Sequence, residues 1–279
     1  KFAGLVRVGL SYYYSGALQA SDGRGNTGLL SNDQQNLSTL GKAYVLIGDE
    51  SRLAARLYRQ SLDLPFVNKK DSRMIPNTHE GYLLGRKSSK RDFVLGHITK
   101  MKKRNSEQFV PMSVVAGATN SNQGLSLAGL KGKFGNGTSL GAFNYYGWDT
   151  FNTTYIETNW LSPFLGKYSA TSSIQYTDQR SVGDELLGNF ATRSAGLTVS
   201  GGRDGRIFEL AYTQTGKGGL IRRPWGGSPL YNTMMLQDFG RAGEKSLRLG
   251  VSLSGAKLGR KAWSSFANIS GGWDAINAT

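Results

Sequence analysis

Residues 245–255, KSLRLGVSLSG, alternate strictly between apolar and polar side chains. Leu247, Leu249, Val251 and Leu253 fall on one face; Ser246, Arg248, Gly250 and Ser252 fall on the other. A period of two sustained over ten residues belongs to a β-strand whose faces meet different surroundings. KYSATSSIQYT (167–177) repeats the pattern, with Tyr168, Ala170, Ile174 and Tyr176 set against Ser169, Thr171, Ser173, Gln175 and Thr177. RIFELAYTQ (206–214) does so again, with Phe208, Leu210 and Tyr212 opposite Glu209 and Thr213.

Extended along the chain, the same reading predicts about thirteen strands. They cover 2–14, 39–48, 52–62, 79–87, 91–100, 122–133, 137–147, 152–160, 167–177, 191–201, 205–214, 244–254 and 262–270. Most are longer than the ~5–6 residues usual in soluble sheets. The stretch that looks most helical, SRLAARLYRQSL (51–62), falls into the strand register as well. Connections alternate in length without losing phase. The tight ones are DES (49–51), SSK (88–90), FGN (134–136), SPFLGK (162–167), GRD (202–204) and GAKLGRK (255–261). Long ones lie near 15–38, 63–78, 101–121, 178–190 and 215–243, with 148–151 as a short exception. The expectation is an all-β fold: a transmembrane antiparallel up-and-down β-barrel, with short turns at one end and long external loops at the other. The runs AYVLIG (43–48) and SVVAGA (113–118) are far shorter than the ~18–20 residues a spanning helix needs. KFAGLVRVGLSYYYSGA at the start carries no signal-peptide pattern.

Composition narrows the chemistry. The 279 residues hold 34 Lys+Arg and 19 Asp+Glu, a net charge of +15 in a chain only 19% charged. With no Cys, there is no disulfide framework and no thiol chemistry. His79 and His97 are the only histidines, too few for a His-rich metal site or a credible Ser–His–Asp set. Thirteen Tyr, twelve Phe and five Trp argue for a packed chain. Catalysis finds no support and no cofactor is implied. The excess positive charge leaves a second class open: a secreted or soluble basic all-β protein binding glycan or nucleic acid. That class predicts shorter strands around an internal apolar core, or basic residues gathered on one outer surface.

In a barrel, the alternating apolar face meets lipid and the polar face lines the lumen. With Leu53, Ala55 and Leu57 outward, Arg52, Arg56, Tyr58 and Gln60 point inward. The same parity turns Arg7, Lys42, Tyr44 and Arg248 inward, and likewise Glu157 and Glu209. Arg59 breaks it and belongs near a strand end or the rim. Arg7, Lys42, Arg52, Arg56 and Arg248 then form a basic ladder along a water-filled path, suited to small carboxylates because guanidinium binds carboxylate through a two-pronged hydrogen-bonded fork. Glu157 and Glu209 are placed to bind an ammonium group or to hold an Arg. Tyr12, Tyr14, Tyr145, Trp148, Trp160, Tyr168, Tyr176 and Trp263 are candidates for the interfacial aromatic girdles.

Residues 56–85, RLYRQSLDLPFVNKKDSRMIPNTHEGYLLG, resemble the segment that marks the OprD-like family of outer-membrane porins. Matches follow in order at GHITKMKKRNSEQF (96–109), IQYTDQRSVGDELLG (174–188), RRPWGGSPLYN (222–232) and DFGRAGEK (238–245). The resemblance implies an eighteen-stranded barrel in the outer membrane of a Gram-negative bacterium, narrowed by inward-folded loops. It also implies passive, substrate-selective diffusion of small, often carboxylate-bearing solutes, with monomer and trimer both open and no nucleic-acid partner. Thirteen strands and an ending in GGWDAINAT depart from that pattern, so residues 1–279 are expected to form one partial barrel domain lacking strands at both ends. The resemblance implies a constriction made by inward loops, and the 101–121 loop with Lys102, Lys103 and Arg104 is the first candidate for one of them. The 178–190 loop with Asp178, Arg180 and Asp184 comes second. Asp71 and Arg73 suit an ion pair, and Pro224, Trp225, Gly226 and Gly227 suit a loop-folding role. The GxGxxG string at Gly23, Gly25 and Gly28 lacks the helix that dinucleotide binding needs.

Overall fold

The computed structural model describes residues 6–18, 28–70, 72–135, 137–164, 168–234, 237–254 and 264–276. Asp71, Trp263, Gly23 and Gly25 lie outside the described residues, as do the side chain of Tyr168 and all of residues 255–263. One antiparallel sheet contains β1 (Val6–Ser15), β2 (Leu37–Asp49), β3 (Leu53–Gln60), β4 (Thr78–Arg86), β5 (Arg91–Lys102) and the two-residue β6 (Val110–Pro111). It continues through β7 (Leu125–Lys133), β8 (Ser139–Gly147), β9 (Phe151–Phe164), β10 (Tyr168–Ser181) and β11 (Ala191–Arg203). The last strands are β12 (Arg206–Thr215), β13 (Lys245–Ser254) and β14 (Ser264–Trp273). Every long strand pairs with the next long strand in sequence, and β6 attaches to β5. The thirteen expected strands are therefore all present, joined by β6 and by a five-residue helix, α1 (Met112–Ala116), that the alternation did not reveal. No described helix is long and apolar enough to cross a membrane.

Register identifies the two faces. Leu249 lies between Leu210 on β12 and Ile269 on β14, and these three side chains are 48–70% exposed. One position along, Arg248 lies between Ala211 and Ser270 on the opposite face. On the β1–β2 pair, Val6, Val8 and Leu10 align with Ile47, Val45 and Ala43, again on the outer side. Strand-long apolar faces left exposed exclude a β-sandwich, whose apolar faces pack on each other, and match the lipid-facing band of a barrel. An Arg placed on that band near the bilayer midplane costs ~2–4 kcal/mol. Leu249→Arg should therefore lower folding stability in lipid vesicles by about that amount, read from denaturant titration. A change near zero would place Leu249 off the lipid face.

The inner face is not uniformly polar, which corrects the simple alternation. Ile98, Leu125, Leu127, Tyr145, Phe151 and Tyr155 project inward from β5 and β7–β9 and are buried. They meet Leu62, Phe66 and Val67 from the 61–77 connection, Met112 and Val115 from α1, and Ile221, Trp225 and Leu230 from the 216–244 connection. Long loops thus fold into the concave side of the sheet and bring their own apolar side chains. Tyr145, expected in an interfacial girdle, is instead fully buried here, edge-on to Phe66 with ring centroids 6.1 Å apart. Tyr12, Tyr14, Trp148 and Tyr176 are outward and exposed.

Candidate functional site

The inward loops are tied to one another and to the wall. Trp225 stacks on Phe151 at 4.8 Å with rings 10° from parallel, and its indole N–H donates to the Met112 carbonyl at 2.9 Å. Asn68 joins two loops: the Gly227 amide donates to its Oδ1 at 2.7 Å, and its own amide donates to the Gly227 carbonyl. A Cβ at Gly226 would run into Asn68, so Gly226 is what lets the two loops approach so closely. Below Trp225, Gln179 exchanges two 2.7 Å hydrogen bonds with the backbone of Arg222, whose guanidinium lies 3.8 Å from the Phe190 ring centroid.

Beneath this roof lies a cavity of about 670 Å³. Asp63, Leu64, Pro65, Asn68, Ser228 and Pro229 close its top. Arg56 and Gln60 from β3, Asp92 from β5, Lys131 from β7, and Tyr155 and Glu157 from β9 form its walls. Glu50, Arg86 and Lys87 lie toward the tight-turn end. Most of the lining acids are engaged. Glu50 receives Arg56 at 2.6 Å and approaches Arg7 at 3.5 Å, so one carboxylate serves two guanidinium groups. Asp92 pairs with Lys133 at 3.2 Å, and the Tyr231 hydroxyl donates to Glu157 at 3.1 Å. Among the described residues, Lys131 has no ion-pair partner. The Arg56 guanidinium sits 5.1 Å over the Tyr44 ring, which itself covers Gly9, where any side chain would collide with it.

Sequence-predicted site residues divide by place. Arg7, Lys42, Tyr44, Arg56, Glu157, Glu209 and Arg248 share the inner face by strand register, and Arg56 and Glu157 line the cavity. Arg248 is paired with Glu209. Arg52 stands in the tight turn after β2, not on the wall, because β3 starts one residue later. Tyr58 takes a φ of 79°, and the Arg59 guanidinium lies over its ring, so Tyr58 does not line the cavity. Arg59 itself pairs with Glu80 at 3.2 Å and lies over Phe109, close to the strand end.

The expected constriction residues are placed elsewhere. Lys102 is buried and donates to the Pro76 and Lys103 carbonyls, Lys103 is exposed, and Arg104 donates to Ser72 at 2.7 Å. These contacts join the 103–109 stretch to the 61–77 loop. The part of this connection that enters the interior is α1, through Met112 and Val115. Asp178 and Arg180 belong to β10, which runs to Ser181, and align with the outward Ile174 and Tyr176. Asp184 lies in the 182–190 connection, its amide directed at Asp149. At the mouth, burial and the neighbouring Arg104, Arg223 and Arg73 cations hold Lys70 below the ordinary amine range. Lys131, Arg86, Lys87 and Asp92 were not among the sequence candidates. Lys131 could have been found, since it alternates with the exposed Leu130.

Among curated proteins, none matches the sequence. Solved structures do. Pseudomonas aeruginosa OccK9 (OpdG) superposes with a TM-score of 0.84 at 21% identity, over 98% of this chain and 73% of that one. A BenF-like porin from Pseudomonas fluorescens Pf-5 gives 0.85 at 19%, over 99% and 73%. Pseudomonas aeruginosa OpdK, crystallised with vanillate, gives 0.82 at 19%, over 98% and 74%. These likenesses establish the barrel fold of which this sheet is a large part. The model of the family described as outer membrane porin, OprD family, matches residues 3–279. A meander with an exposed apolar belt, loops folded into its concave side and a charged cavity beneath them therefore belongs to the OprD family of outer-membrane porins: a substrate-specific channel of the Gram-negative outer membrane, not an enzyme.

Proposed function

We propose that the channel passes small carboxylate-bearing anions, drawn through the mouth cations and handed along Arg7, Arg56 and Lys131 beneath the loop roof. The observation that carries this reading is the sharing of Glu50 between Arg7 and Arg56, which leaves surplus positive charge on the β1–β3 wall. Lys131 adds an ammonium across the cavity that has no ion-pair partner among the described residues. A cationic wall raises the local concentration of anions and lowers their entry barrier. Guanidinium groups stepping along a wall can exchange a carboxylate without leaving it unsolvated. Arg248 contributes less, because Glu209 already neutralises it. The relative OpdK was crystallised with vanillate, a carboxylate of a size that a cavity of about 670 Å³ accepts.

Liposome-swelling rates for benzoate and for the isosteric neutral benzamide test the reading. Benzoate should enter several-fold faster, and the advantage should shrink as ionic strength rises. Equal rates at low salt would contradict it.

A further inference from the structure

The outward placement of Asp178 and Arg180 raises the question of what they do on the wrong side of the wall for transport. Across four strands the register aligns Asn144, Thr154, Asp178 and Arg193 on the outer face. Two residues below on the same face come Ala142, Ile156, Tyr176 and Ala195, followed by the exposed Leu197 and Ile174 farther down. The apolar belt therefore stops at Tyr176, and charge begins immediately above it, at the end of the barrel that carries the long loops. Arg180 holds both Asp178 oxygens, at 2.7 and 2.8 Å, yet its side chain remains 64% exposed. Arg193 is exposed beside Asp178. Arg180 and Arg193 thus flank one carboxylate just above the hydrocarbon boundary. Tyr146 and Trp148, packed edge-on at 5.1 Å, mark the same boundary on the adjoining strand.

We propose that this outer patch, Arg180 and Arg193 on either side of Asp178, docks the phosphate groups of the glycolipid in the external leaflet. The acyl chains would lie against Ile174, Leu197 and Tyr176 while the headgroup phosphate accepts from the guanidinium N–H groups that Asp178 leaves free. Asp178 fixes the Arg180 guanidinium at the outer surface. Surface ion pairs alone contribute little to stability, whereas guanidinium–phosphate contacts at a membrane surface combine charge with directed hydrogen bonds. A patch built only for folding has no need of a second exposed Arg beside one that is already paired.

Native mass spectrometry of the detergent-solubilised porin with bis-phosphorylated and dephosphorylated lipid A tests this. The wild type should retain the phosphorylated lipid at least about tenfold more strongly than Arg180→Gln/Arg193→Gln. The dephosphorylated lipid should bind both proteins equally weakly. Millimolar inorganic phosphate should not displace the lipid, since the apolar chains supply part of the affinity; full displacement would assign the patch to free phosphate and overturn the proposal. Equal retention by wild type and double variant would overturn it too. Single-channel conductance of the variant should stay unchanged, which certifies folding and separates this site from the transport path.

Discussion

Trp225→Ala is expected to widen the channel. The indole ring fills the space between Phe151 on the wall and the carbonyl of Met112 at the start of α1, and it is almost wholly buried. Truncating a buried Trp costs ~3–5 kcal/mol where neighbours cannot collapse into the space. Here that loss falls on loop docking, because the strands stay hydrogen-bonded to one another whatever the loops do. The 216–244 connection should detach from the wall, releasing Pro229 and Ser228 from the cavity roof. Single-channel conductance should rise and become noisy, solute selectivity should fall, and heat-resistant barrel mobility on gels should persist. Trp225→Phe keeps the stack on Phe151 but loses the bond to Met112, so it should give an intermediate conductance.

The second large effect concerns charge. Arg56 and Lys131 face the cavity from two walls, and acids at Glu50, Asp63, Asp92 and Glu157 remain when both are removed. A cation ~10 Å from a permeating carboxylate contributes on the order of 1–2 kcal/mol at an effective dielectric constant of ~20, less after screening. Arg56→Ala should thus reduce carboxylate flux by up to about tenfold, and Arg56→Ala/Lys131→Ala should turn the channel toward cations. Arg248→Ala should have a smaller effect, since Arg248 and its partner Glu209 lie outside the cavity lining. Rates of uptake for benzoate in liposomes, compared among the three variants at one ionic strength, give the order directly.

Strand count and facing were legible because lipid on one side and loops or water on the other impose period two. The pattern placed Leu247, Leu249 and Arg248 correctly, and it read the helix-like 51–62 stretch as β3. What it could not show was where a strand ends. β10 continues four residues past the predicted limit, and that extension moves Asp178 and Arg180 from a loop onto the outer face. Had parity been carried beyond Tyr176, it would have found them there. The inner face was harder, since Tyr145 and Leu127 follow lumen parity yet are covered by Phe66 and its neighbours from distant loops. No local pattern reports such a contact. Trp225, flanked by Pro224 and Gly226, was visible as a fold determinant, but its partners Phe151 and Met112 are 74 and 113 residues away in sequence. The five-residue α1 is too short to display a helical period.

The central claim is that surplus inward-facing cations make this porin prefer anions. Reversal potential in planar bilayers under a tenfold gradient of sodium benzoate measures that preference directly, with the intact porin as the conducting species. The account predicts a potential of the sign set by anions, shifting toward the sign set by sodium in Arg56→Ala/Lys131→Ala. A potential of the sign set by sodium in the wild type would contradict it.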